Sequence, residues 1–475
     1  MGGIVRDILL KRDKKNPDID FCLENNAVLF ARDLARELRS GFVVLDEEHG
    51  CGRVVRKEKD GVLYTLDFTD FRGKDLKDDL LHRDCSINSM ALDFEQAYAC
   101  VNSNPGPGGL GVFKRLIIDP YGGLQDLSAG KIRAVNKKSF DEDPVRIMRM
   151  FSLSALFDFN IDKETHARAV AKKKKLLSVS SERVRDELFK VLSSVRGYEV
   201  FKSLWKAGIL ELIFPEIKPM YKLKQGPYHN LDVWGHTLDT VKKGESLLKD
   251  FSRNKDIAAY LEEEVSSGHT RRELFKLALL FHDIGKPGTF RAEKKKVTFY
   301  GHERLGSQLV KGIGERLKLS NEEIRLLRRV TFLHLRPGYM ANNETLTPRA
   351  KFRFFRDAGQ DAVMVLLLSL ADQRATQGYL TIELSRERHE RLMRRLIREY
   401  FSELKKEKKV RLVNGHDIIK IFKLSPSPLI GTLLRELEEL QAIGKITTKK
   451  EALSAAAKII SSHASHGNRV ISREK

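Results

Sequence analysis

The chain has 475 residues, 41% apolar and 32% charged, with 86 Lys and Arg against 65 Asp and Glu for a formal net charge of +21. That length suggests two to four domains, and the composition excludes a collagenous or wholly disordered polymer. No apolar run has the length of a membrane span and no cleavable leader is recognisable, so a cytoplasmic protein off the membrane is expected; the basic excess suits a polyanion, RNA or DNA, or else reflects a basic background.

In chain order, the opening MGGIVRD sets Gly2 and Gly3 ahead of Arg6, a composition suited to a turn that holds phosphate against backbone N–H groups at a helix start. In PDIDF, Asp18 and Asp20 fall on one face of a strand, where they can hold divalent metal against triphosphate oxygens; a solvated turn after Pro17 is the alternative. Residues 27–38 put Val28, Ala31, Leu34, Ala35 and Leu38 on one face, predicting a helix closed near Gly41. β-branched and aromatic runs over 42–73, broken at Asp60-Gly61, predict a small sheet on which Asp67 adds a third carboxylate and Asp70 faces away.

Farther on, LLHRDCSINSMALDF brings Arg83 and Asp84 ahead of Ser86 and Asn88. This is either a phosphate-contacting guanidinium held by a carboxylate or a helix start with a surface ion pair. Residues 102–111, NSNPGPGGLG, read as loop. From Asp143 helical periodicity dominates, which puts a first boundary near Asp141. In FDEDPVRIMRM, Glu142, Asp143 and Arg146 surround Pro144, a residue suited to a first helical turn. They could read nucleobase edges, or simply cap a helix and form an i, i+3 ion pair. Ser181 is expected to cap the helix after it. The cysteines Cys22, Cys51, Cys85 and Cys100 form no CxxC pair, which argues against a disulfide scaffold or zinc finger.

GGxVRD, DxD, RD with INxMA, SFxEDPxRIxR and ERVRDE follow one another in an order that resembles the bacterial class of tRNA CCA-adding enzymes and poly(A) polymerases, over almost the whole chain. The resemblance implies an α+β protein, with a palm-like nucleotidyltransferase head followed by mostly α-helical neck, HD and body domains. It implies that Gly2, Gly3 and Arg6 seat the triphosphate and that Asp18 and Asp20 bind Mg2+, with Asp67 as third catalytic carboxylate. It further implies that Arg83, Asp84, Asn88 and Arg149 bind the nucleotide, that Glu142, Asp143 and Arg146 form the protein template that selects ATP or CTP, and that Arg183 and Glu187 support it. The sequence departs from the family at His82 (usually Arg), at Cys85-Ser86 (usually Phe-Thr) and at Phe151-Ser152-Leu153 (usually Ala-Arg-Phe). The run 71–81 is short, as in relatives that add only two cytidines, so CCA addition, partial CC or A addition and poly(A) synthesis stay open. Family heads carry a helix and a strand before the glycine pair; the head as given is therefore expected to lack its first strand, and the natural start to lie upstream.

Between 227 and 378 His236, His282, Asp283, His302, His334 and Asp372 recur beside apolar runs, with Gly285 and Lys286 after the His-Asp pair. Imidazole and carboxylate together suit a divalent ion, whereas one such histidine alone would be structural. FHDIGK resembles the mark of the HD phosphohydrolase domain. By that resemblance His236, His282, Asp283 and Asp372 bind a metal (Mg2+, Mn2+, Ni2+ or Co2+), His302 and His334 extend the site toward a second, and Lys286 attracts phosphate. The implied substrates are 2′,3′-cyclic phosphates or phosphomonoesters; a non-catalytic, metal-stabilised bundle is the alternative. His229 is expected at the entrance.

The stretches Asn414-Gly415-His416-Asp417 and Pro428-Leu429-Ile430-Gly431 resemble the family's tRNA-holding body; Ser427 and Phe422 stand where glycines are common there. The lysine blocks at 172–175 and 405–409 could contact phosphates or form solvated helix faces. The expected division is head 1–140, neck 141–226, HD domain 227–378 and body and tail 379–475. Partners expected are an RNA 3′ end, tRNA above all, and ATP or CTP, with oligomeric state open. Poly(A) polymerase is the alternative within the class; an RNA-binding HD phosphohydrolase with a dead transferase is the alternative outside it.

Overall fold

The computed structural model describes all residues except 13–15, 104–112, 294–295, 344, 379, 381, 405–409 and 472–475. The loop expected at 102–111 falls mostly outside the described residues, and the lysine block 405–409 wholly so. The chain forms two compact units, Met1–Pro215 with 316–318, and Glu216–Glu315 with Leu319–Lys475.

In the first unit α1 (Gly3–Leu9) leads to a four-stranded sheet of β1 (Asp18–Leu23), β2 (Gly41–Asp46), β3 (Cys51–Lys57) and β4 (Leu63–Asp70), in the order β1-β4-β3-β2. β1 runs parallel to β4, with Asp20 opposite Asp67, and the other pairs are antiparallel. Strand alternation gives the sheet two chemically different faces. Phe21 and Leu23 on one face join Phe42, Val54, Leu66 and Phe68 against Ala27, Ala31 and Ala35 of α2 (Ala27–Glu37). Phe21 and Phe68 stack with centroids 4.9 Å apart. Small alanines let α2 lie close, and a Cβ on Gly52 would come within 3.1 Å of the Ala31 Cβ. With that face sealed, Asp18, Asp20 and Asp67 border a cleft. The helix expected at 27–38 ends at Glu37, and Arg39 (φ 49°), not a glycine, turns the chain into β2.

The remainder of this unit is mainly helical. α3 (Arg146–Phe157) packs against α4 (Ser181–Ser193). Pro144 lies in the turn before α3, between it and the short helix Ser139–Glu142, outside the first helical turn where it was expected. Ser181 is the first residue of α4; Ser180 takes the cap position and makes no capping bond through its side chain, so the expected Ser181 cap is not formed.

The second unit is helical around α5 (Val233–Asp250), α6 (Arg271–Phe281), α7 (Asn321–Leu333) and α9 (Ala362–Ala375), with α8 (Arg336–Asn342) and α10 (Glu383–Leu404) alongside. α9 is apolar nearly all round and almost entirely buried, as a central helix must be. Starts are fixed by caps: the Asp232 carboxylate accepts the Gly235 N–H at 2.7 Å, and Thr270 with Glu273 and Ser320 with Glu323 form capping boxes. Near the C-terminus Val413, Ile418, Ile430, Leu433, Leu437 and Ile446 form a small separate core. Lys423 (φ 50°) there takes the left-handed conformation at the end of the helix Gly415–Phe422. Among the described residues no helix is long and apolar enough to cross a membrane.

Candidate functional sites

The head cleft, about 700 Å3, is lined by Gly2, Gly3, Arg6, Asp18, Asp20, Asp67, Arg83, Asp84, Asn88, Asp143, Arg146, Arg149, Arg183 and Glu187. Of the residues expected to be catalytic, nucleotide-binding or supporting, Glu142 alone does not line it: its carboxylate lies 3.1 Å from Arg146 and 3.3 Å from His82. Gly2 sits at φ 67°, a conformation costly for any L side chain, and a Cβ there would lie 3.3 Å from an Asp20 carboxylate oxygen.

Behind the glycine turn runs a buried polar chain. Arg6 donates to the Asn88 side-chain carbonyl, and Asn88 Nδ2 donates to both Asp84 oxygens at 3.0 and 3.1 Å. Asp84 also accepts the Cys85 N–H at 2.7 Å and pairs with Arg149 at 2.8 Å. Burial alone would raise the Asp84 carboxyl, but Arg149, Asn88 and the Cys85 N–H outweigh it and hold the group below the usual carboxylate range. Asp20 is raised, chiefly by burial and against the pull of Arg83.

Asp67 is held by Arg53 through two bonds of 2.7 Å, so both its oxygens are engaged. Among the described residues the head carboxylates do not form a three-ligand cluster of the kind found in the second unit. Asp18 and Asp20 alone still fit Mg2+, which is commonly held by one or two carboxylates plus substrate phosphates. Arg146 donates to the carbonyls of His82 (2.6 Å), Arg83 and Ser139 (3.3 Å each), tying three segments together. Asp143 receives two bonds from Arg183 at 2.7 and 3.1 Å. Sequence reasoning missed Arg12, Arg53, Arg72, Phe157 and Lys190 in this lining; no motif marks them, and only the strand register sets Arg53 opposite Asp67.

In the second unit His236, His282 and Asp372 bring ligand atoms within 4.8 Å of one another, and so do Asp283, His302 and His334. The Asp283 carboxylate lies between the two triads. One oxygen is 3.1 Å from His282 Nε2, and the other is 3.3 Å from His302 Nε2 and 3.7 Å from His334 Nε2. His236 Nε2 is 2.9 Å from Asp372.

Tautomers follow from the backbone. Nδ1 of His282, His302 and His334 lies 2.9, 2.8 and 2.6 Å from the carbonyls of Leu279, Phe299 and Thr331. Each Nδ1 therefore carries hydrogen, leaving Nε2 with its lone pair turned inward, the usual way a metal-ligating ring is fixed. The Nε2 atoms of His302 and His334 face each other at 3.3 Å, and buried His282 Nε2 lacks a hydrogen-bond partner. Lone pairs so opposed need a cation among them, so these residues fit one metal ion or two. Burial, with repulsion from His302, pushes His334 down to about 3, leaving it neutral as a metal ligand must be. Lys286 Nζ lies 2.6 Å from Asp283 and donates to Gln225 at 2.6 Å. His229 packs edge-on to His236 with centroids 4.7 Å apart, and burial lowers it to about 4.

A palm-like head with a glycine turn beside paired aspartates, on the same chain as a helical His/Asp centre, defines a nucleotidyltransferase carrying an HD domain. Family models agree: the poly A polymerase head domain matches residues 1–133, the RNA and SrmB-binding site of polymerase A 158–221, the HD domain 233–377 and tRNA nucleotidyltransferase domain 2 315–457. The chain is 30% identical to the A-adding tRNA nucleotidyltransferase of Deinococcus radiodurans, over 95% of this chain and 93% of that protein. It is 28% identical to the CC-adding enzyme of Thermus thermophilus over 95% and 91%. Its fold is that of a CCA-adding enzyme solved in an apo form (TM-score 0.61, 20% identity, 96% and 89% covered) and of the Thermotoga maritima CCA-adding enzyme solved with tRNA (TM-score 0.58, 20% identity, 97% and 90% covered). The chain therefore belongs to the bacterial family of nucleotidyltransferases that unites CCA-adding enzymes and poly(A) polymerases.

Proposed function

We propose that the head adds all or part of CCA to the 3′ end of tRNA from CTP and ATP. The observation that carries this reading is the cleft in which the Gly2 turn, the Asp18 and Asp20 carboxylates and the Arg6–Asn88–Asp84–Arg149 chain converge. In this reading Gly2, Gly3 and Arg6 seat the triphosphate, Arg83 neutralises it, and Asp143 with Arg149 offers an acceptor and a donor to the base. Glu142 acts through Arg146 and does not touch the nucleotide. Mg2+ held by Asp18 and Asp20 would lower the pKa of the attacking 3′-hydroxyl and offset charge on the departing pyrophosphate. Relatives named for A addition and for CC addition favour partial addition.

The test offers labelled tRNA ending before, within and after CCA, with each NTP singly. Incorporation that stops after one or two nucleotides is expected, lost on Asp18→Ala or Asp20→Ala. No incorporation on any tRNA refutes the reading, and unlimited adenylation of oligo(A) would identify a poly(A) polymerase.

The orientation of three imidazoles, His282, His302 and His334, supports a second activity, metal-dependent hydrolysis of phosphoesters by the HD domain. A divalent ion, Mg2+, Mn2+, Ni2+ or Co2+, would supply Lewis acidity toward water and the phosphoester. Lys286 attracts the phosphate, and His229 borders a small opening beside His236. Release of phosphate or opening of 2′,3′-cyclic nucleotides that disappears in Asp283→Ala tests it. We further propose the division into head 1–140, neck 141–226, HD domain 227–378 and body 379–475, and a cytoplasmic location.

A further inference from the structure

The register of the head sheet sets three charged side chains in one row. Asp20 of β1 stands opposite Asp67 of β4, and Asp67 opposite Arg53 of β3. Residues in register on neighbouring strands, about 4.8 Å apart, point to the same face, here the one that borders the cleft. Both Asp67 oxygens are engaged: Arg53 Nε donates to one and Nη2 to the other, each at 2.7 Å. This planar fork is the geometry in which a guanidinium binds a carboxylate most firmly. The pair is partly buried, Arg53 being 38% and Asp67 18% exposed. Arg53 Nη1 makes no hydrogen bond among the described residues, and the side chain borders the cleft. The hydrogen bonds and charge of Asp67, with Asp18 at longer range, raise the guanidinium above its ordinary pKa against the opposing effect of burial.

Phosphoryl-transfer sites often use two divalent ions, one toward the attacking oxygen and one toward the leaving oxygen. Asp18 and Asp20 fit one. An ion coordinated by Asp67 would stand within a few ångströms of a guanidinium that cannot shed its charge, so the residues present do not fit a second. We propose that Arg53 takes the place of a second metal ion in the transferase: the head works with one Mg2+, held by Asp18 and Asp20, and Arg53 is the fixed cation on the Asp67 side of the reacting phosphate. A guanidinium offers planar N–H donors and a permanent charge, suited to a non-bridging phosphate oxygen, but no Lewis acidity. Its contribution is therefore to bind the phosphate and neutralise charge that develops there, while Asp67 holds it in place. The proposal rests on the transferase reading of the cleft and not on tRNA as the substrate.

Mn2+ uptake by the full-length protein, counted by EPR with a non-hydrolysable CTP analogue bound, tests it without relying on turnover. Ions held by the second unit are common to all variants and cancel in the comparison. Arg53→Gln is expected to bind one more Mn2+ than wild type, and Arg53→Gln/Asp67→Asn to lose that extra ion. Arg53→Lys, which keeps a cation, should bind the wild-type number, as should Asp67→Asn alone. In transfer assays Arg53→Gln should be slower by about a hundredfold at limiting Mg2+, with partial recovery and a steeper Mg2+ dependence as the ion is raised. An ion count in Arg53→Gln equal to that of wild type overturns the proposal; joined to a lowered melting temperature, it marks a merely structural pair. Loss of an ion in Asp67→Asn also overturns it, since Asp67 would then be a ligand despite its partner. Failure of wild type to extend any tRNA, with the ion counts as expected, would sink the tRNA reading and leave this proposal standing.

Discussion

Replacing Asp84 by alanine gives the sharpest test of how the head is assembled. The carboxylate accepts from Asn88 Nδ2 and from the Cys85 N–H, and both donors are stranded without it. A buried donor left unpaired costs about 1–3 kcal/mol. The Arg149 pair adds little: its guanidinium is 44% exposed and can turn to water, so it is discounted to about 0.5 kcal/mol. The sum is about 2.5–6.5 kcal/mol, or roughly 5–25 °C in melting temperature for a unit of this size. Asp84→Asn keeps an acceptor for Cys85 and should lose only about 1 kcal/mol.

The pH dependence has a definite sign. The folded carboxyl is held below its usual range, so its stabilisation is complete above the unfolded pKa of about 3.9 and is lost as pH falls through the folded value. The gap between wild type and Asp84→Ala should therefore narrow as pH falls below about 5. Calorimetry of both variants across that range is the assay. A melting shift under 2 °C at pH 7, or a gap that does not narrow in acid, would refute the idea that this carboxylate anchors the glycine turn through Asn88 and Arg6.

Other consequences are simpler to read. Gly285→Ala should destabilise the second unit by about 3 kcal/mol or more, because its Cβ would stand 2.2 Å from the His302 carbonyl oxygen and 2.6 Å from the Gly306 nitrogen, both backbone atoms that cannot turn aside. A normal melt for that variant would contradict the packing. His334→Ala and His282→Ala should each lower the bound divalent metal, measured by elemental analysis of purified protein, since each Nε2 faces the shared Asp283 carboxylate. Chelation of wild type should reduce the melting temperature of the second unit by several degrees, since metal bound only to the folded state adds to its stability.

The parts legible in the sequence were those written within a few residues. Asp18 and Asp20 share a strand face through simple alternation, and FHDIGK marks a helix end with two ligands and a lysine. The small sheet announced itself by β-branched runs and the Asp60-Gly61 turn, where Gly61 takes φ 86°. Partners joined only by the fold were not legible. Arg53 meets Asp67 through the β3–β4 register, Arg149 reaches Asp84 from another segment, and Arg183 reaches Asp143 across 40 residues. Nothing in YTLDFTDF shows the Arg53 guanidinium that stands opposite Asp67.

Ser152, which stands where the family resemblance implies arginine, leads to a last prediction. The Ser152 hydroxyl donates to Glu187, and the other Glu187 oxygen accepts from Lys190 at 2.7 Å. Glu187 is nearly buried while Lys190 is 46% exposed at the cleft. Lys190 on α4 thus places a charge at the cleft, one turn beyond Glu187. If Lys190 serves the triphosphate, Lys190→Met should raise KM for the nucleotide about tenfold, equivalent to about 1.4 kcal/mol of binding, with kcat little changed. Lys190→Arg should recover most of the loss. A structural role would give a lowered melting temperature and an unaltered KM, since the buried Glu187 would lose one of its two partners. An unchanged KM in Lys190→Met would mean that the cleft has no replacement for the missing arginine and that the triphosphate is held by Arg6 and Arg83 alone.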